Sequence, residues 1–137
     1  MPDLQALYRH LDKIKNKAFH YHVHDCFMFT NDAWKEMYGY GWADDWCGRY
    51  IKDNGLYMKP KELRKEFGFE TLEEAVDSKL TRITHVPPRG ALVATDQADT
   101  RIVGKAFGIS VGNKAAFLQK TGVTYVPIKV ITDAWVQ

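Results

Sequence analysis

A chain of 137 residues with 45% apolar, 26% charged and 13% aromatic side chains has the size and make-up of one folded domain, and excludes a disordered polymer. Nineteen basic residues against seventeen acidic ones leave a net charge of +2 with no long run of either sign, which argues against an electrostatically held nucleic-acid partner. Cys26 and Cys47 form no CxxC pair, and no apolar stretch approaches the roughly 20 residues of a membrane span. The expectation is a soluble chain of a reducing compartment, with no signal peptide, disulfide framework or zinc ribbon, and no cofactor.

Leu4, Leu7, Leu11 and Ile14 recur on one stripe, with Tyr8 beside them and Arg9, Asp12, Lys13 and Lys17 opposite, which predicts an amphipathic helix within residues 1–18. Phe19, Tyr21 and Val23 then alternate with His20, His22 and His24, a period of two that suits a short extended segment with its histidines facing solvent. From Phe27 the helical period returns through Ala33, Trp34, Met37 and Tyr38; Asp25 is placed to cap this helix, and Gly39 and Gly41 end it. Residues 41–58 show no steady period and predict turns, with one short helix around Cys47 to Lys52. Pro60, Leu63, Phe67 and Gly68 outline another helix, and Thr71 with Glu74 forms a capping box ahead of Leu72, Ala75 and Val76.

Beyond Val86 the segments ALVATD, RIVGKAFGISVG and KAAFLQKTGVTYVPI are β-branched and small residues broken by glycine, predicting about four antiparallel strands. Gly104, Gly108 and Gly112 fall in those strands and read as bulges or close packing, not as a phosphate loop. The expected architecture is α+β, one domain over 1–137, with a helical part over 19–80 and a mainly β part over 81–137. Its N-terminal helices pack on a small C-terminal antiparallel sheet.

Chemistry concentrates at Asp25-Cys26. A thiol in the first turn of a helix meets the positive end of the helix dipole, which favours thiolate; the competing reading is a small buried apolar residue. A nucleophilic cysteine also needs an imidazole base. His10 and His85 are expected on the surface, and His24 is too close in sequence to turn readily onto Cys26. His20, His22 and His24 with Cys26 or Asp25 make a ligand set on paper, yet a closed zinc site draws ligands from separate turns, and solvent-facing histidines explain the alternation without a metal. Trp42, Trp46, Tyr50, Tyr57 and Trp135 could fill the core or be left as interface aromatics.

Taken in order, His24-Asp25-Cys26, the stretch WCGRY at 46–50, FGISVG at 107–112, Gly122 and Ala134-Trp135 resemble the layout of NlpC-type (papain-like) cell-wall cysteine peptidases. More closely they resemble a family of small phage and prophage proteins of unassigned function that look like derivatives of that fold. In active NlpC-type enzymes the base histidine begins a His-x-Gly-Ile strand, and the corresponding position here is Ala106, before Phe107-Gly108-Ile109. A Gly-Asp pair usual on the preceding strand is Gly90-Ala91. The resemblance therefore implies a catalytically degenerate fold used as a virion structural or assembly module of the tail or head-to-tail region. It would occur in several copies against other virion proteins, through surface aromatics, with a vestigial groove that could hold peptide. The alternative it leaves open is an active amidase or peptidase acting on cell-wall peptide, with Cys26 as nucleophile and His24 as base.

Overall fold

Two aspartates set the positions of the first two helices. Asp3 accepts the Ala6 amide at 3.0 Å and starts α1, Leu4–Ile14; Asp25 accepts the Met28 amide at 2.9 Å and starts α2, Cys26–Tyr38. The computed structural model describes residues 2–17, 24–97 and 105–137. The expected extended segment at 19–23, with His20 and His22, and Gly104 lie outside them.

The stripe of α1 buries Leu7 and Leu11, each contributing roughly 1.5–3 kcal/mol, while Tyr8 stays exposed. In α2, Cys26, Phe27, Phe29, Ala33, Trp34 and Met37 are all buried, so this helix is wrapped on several sides and forms the centre of the molecule. It stops at Gly39, which takes the left-handed conformation (φ +83°) that a side chain would resist, and donates its amide to the Lys35 carbonyl. Pro60 and Gly68 bound α3, Pro60–Phe67, as expected. Thr71 accepts the Glu74 amide to start α4, Leu72–Asp77.

The predicted helix at Cys47 to Lys52 does not form. Residues 42–50 make consecutive turns, clasped to α2 by side chains: Asn31 donates to the Asp44 carboxylate at 2.8 Å and accepts the Ala43 amide at 2.8 Å. This clasp satisfies backbone groups that a helix would otherwise have bonded internally.

The described residues contain six strands: β1 (Thr81–Ile83), β2 (Leu92–Thr95), β3 (Ala106–Ser110), β4 (Lys114–Gln119), β5 (Gly122–Pro127) and β6 (Asp133–Val136). All pair antiparallel, in the order β1-β6-β2-β3-β4-β5. The expected strands are β2 to β5, and β1 and β6 add to them. The fold is α+β, with helices before the sheet.

Register divides the sheet into two faces. Leu92, Ala94, Phe107, Ile109, Ala116 and Trp135 join the core containing α1 and α2, whereas Val93, Ala106, Ala115, Phe117 and Ala134 form a second cluster on the other side. Gly108 permits this second cluster to close: a Cβ there would strike the Ala116 carbonyl oxygen and lie 2.8 Å from the Phe117 ring. Gly112 lies in the β3–β4 turn instead of a strand. At the outer edge, the Val123 amide of β5 donates to the Lys15 carbonyl at the end of α1, 3.0 Å away.

The aromatics offered by the sequence as interface groups are mostly core. Trp42, Trp46, Tyr50 and Trp135 are buried, joined through contacts such as Phe27–Phe107 and Phe27–Tyr50, each with ring centroids 5.0 Å apart. The small core needs their bulk, so little of them remains for surface contact.

Candidate functional site

The first turn of α2 brings Asp25 and Cys26 to the centre of the molecule. Asp25 is fully buried and both its oxygens are engaged: one caps the helix through the Met28 amide, and the other accepts the hydroxyls of Tyr50 at 2.7 Å and Tyr57 at 3.1 Å. A buried carboxylate so surrounded by donors is satisfied as a structural anchor. Burial, the Asp25 charge and its hydrogen bond push the Tyr50 hydroxyl well above the ordinary phenol range, so it donates and stays neutral.

Cys26 is completely buried, and burial pushes its thiol up to about 12. Backbone hydrogen bonds from Phe107 and from the first turn at Cys26 and Phe27 pull the other way, and the Asp25 charge adds to the rise. Desolvation thus outweighs the helix terminus, opposite to the lowering that position alone suggests. At neutral pH the thiol is therefore held protonated. Cys47, half-buried, is pushed up to about 11, first by burial and then by Asp25.

None of the groups that chiefly set the state of the Cys26 thiol is an imidazole. His24 is buried, contrary to the expected solvent exposure, with its ring edge-on to Phe29 at 6.3 Å and neither nitrogen hydrogen-bonded among the described residues. Burial lowers its pKa, and Lys17 lowers it further against Asp32 and Asp25. His10, expected on the surface, is largely covered, 3.9 Å from Glu36, and has an unpartnered Nε2 among the described residues. His85 is exposed as expected.

The strand opposite Cys26 explains more. The side chain of Ala106 belongs to the far face of the sheet, while Phe107 faces α2 and stacks on Phe27. A histidine at 106 would point away from the sulfur, and the position that does face it is filled by a phenylalanine ring. Among the described residues no group of three or more His, Cys, Asp or Glu side chains is arranged to hold a metal ion. His20 and His22 of the proposed ligand set lie outside those residues.

Sequence reasoning did not find the cavity beside this site. It encloses about 340 Å³ and is lined by Phe27, Trp46, Tyr50, Leu63, Phe67 and Phe69, with Arg64, Glu70 and Glu73 among its polar lining. Its walls come from segments 27 to 75, and only the aromatic richness of 46–69 hinted at it. No helix among the described residues is long and apolar enough to cross a membrane.

No curated protein and no solved structure matches the chain. A family model does match, over residues 2–136, which is nearly the whole sequence, and the chain accordingly belongs to the family described as Domain of unknown function (DUF6950).

Proposed function

We propose that this protein is a catalytically inert, NlpC-like module of a phage virion, placed at the tail or head-to-tail region, where it holds other virion proteins in a multi-copy assembly. The observation that carries the loss of catalysis is the state of Cys26: wholly buried, pushed up to about 12, and backed by Phe107 where a base would have to stand. A hydrolase of this type needs a thiolate to attack and an imidazole to protonate the leaving amine. The chief influences on this thiol are burial, backbone hydrogen bonds and the Asp25 charge, and no imidazole is among them. The virion role is supported by the ordered motifs His24-Asp25-Cys26, WCGRY and FGISVG. The packing of α2 on β3 supports the reading, while the far-face register of Ala106, the base position in the resemblance, does not favour it.

Two measurements test the reading. Native protein treated with iodoacetamide near neutral pH should leave Cys26 unmodified until denaturant is added, and should release no fragments from purified peptidoglycan. Rapid native labelling of Cys26, together with fragment release lost in Cys26→Ala, would establish the amidase or peptidase instead. Mass spectrometry of purified particles of a phage encoding the chain should find it as a stoichiometric component; its absence from particles sinks the virion role.

A further inference from the structure

The cavity beside α2 has the attributes of a recognition site. Its volume of about 340 Å³ lies at the small end of the roughly 300–1,000 Å³ range of ligand pockets, enough for one large side chain but not for an extended cofactor. Phe27, Trp46 and Tyr50 make a floor fixed by the core, whereas Leu63, Phe67 and Phe69 come from α3 and the segment after it, where no residue of α3 is fully buried. A rigid aromatic floor under a lightly held wall suits a group that enters from outside.

Charge specifies that group further. Around the cavity, Arg49 pairs with Glu66 at 3.1 Å and Lys52 with Glu62 at 3.3 Å, which occupies both acids of α3. Arg64, Glu70 and Glu73 line the same cavity, and none of the three has an ion-pair partner among the described residues. The lining thus joins an apolar surface to unpaired charges of both signs.

We propose that this cavity binds a protein segment that inserts one large apolar side chain, with an acidic neighbour directed at Arg64 and a basic neighbour directed at Glu70 and Glu73. This rests on the assembly reading, since it names the contact by which the module grips a partner chain. Affinity comes from burying the apolar anchor, and the unpaired charges of both signs select a partner that carries both.

The probe is a capped peptide, acetyl-Asp-Gly-Phe-Gly-Lys-amide, titrated into the full chain and followed by backbone amide NMR. The expected result is saturable shifts at Phe67, Phe69 and Leu72 that vanish when the central Phe is Ala and weaken when both flanks are Lys or both are Asp. Arg64→Glu and Glu73→Lys, both outside the fully buried core, should each weaken the mixed-charge peptide by about tenfold, the effect of ~1.4 kcal/mol. An unchanged amide spectrum remote from the cavity shows that each variant is folded. No shifts at those residues, equal shifts with the Ala peptide, or indifference to both charge reversals would overturn the proposal. Such a failure leaves the labelling of Cys26 and the particle composition untouched, so it is distinguishable from failure of the assembly role.

Discussion

Asp25 joins three tasks in one buried side chain: it caps α2 and accepts from two tyrosines contributed by the turn region and the segment after it. Asp25→Ala removes a cap and the acceptor of the buried Tyr50 hydroxyl, so it should lower the unfolding free energy by about 2–4 kcal/mol in a urea titration. Asp25→Asn, which keeps an acceptor oxygen, should cost less. Gly108→Ala should cost about 1–3 kcal/mol in the same titration, from collision with the Ala116 carbonyl and the Phe117 ring alone. The cap at Asp25 was legible because N-capping depends on neighbours in sequence. The condition of Cys26 was not, because its surroundings come from β3, some eighty residues away, and desolvation there outweighs the local dipole. Ala106 shows the same limit: the motif located the strand, and only the register revealed which face it occupies.

Between α1 and α2 lie two imidazoles held neutral. Burial is the main cause of the lowered pKa at both His10 and His24, with Glu36 and Asp32 opposing it and Lys13 and Lys17 reinforcing it at His10. In the unfolded chain each takes up a proton near the ordinary value of 6.5, before the folded chain does, so unfolding is favoured as pH falls. Stability is therefore fully present above pH 6.5 and declines below it until the folded pKa values are reached. Urea midpoints measured across pH 5 to 8 should show this fall, and His24→Leu should flatten it. At this scale α1 to α4 were readable from caps and period, as were β2 to β5 from their β-branched runs. Three-residue β1 and four-residue β6 carried too little alternation, and exist because each is hydrogen-bonded to the other and β6 also to β2.

The sheet is a meander from β2 to β5 into which β6 returns, pairing Trp135 with Leu92 on one side and Arg82 on the other. Trp135 is fully buried and its indole donates to Asp77 at 2.7 Å, so β6 ties the sheet to α4. A chain stopped at Thr132 loses an internal strand, and should show no cooperative transition in thermal circular dichroism and no near-ultraviolet signal. The bond from Val123 to Lys15 has a different bearing. An outermost strand carries bare amides that can template a copy of itself, and here the end of the first helix plugs one of them. Without that helix end the Val123 amide would stand bare at the rim of the sheet, open to pairing with a foreign strand, so the first helix also shields the edge it touches.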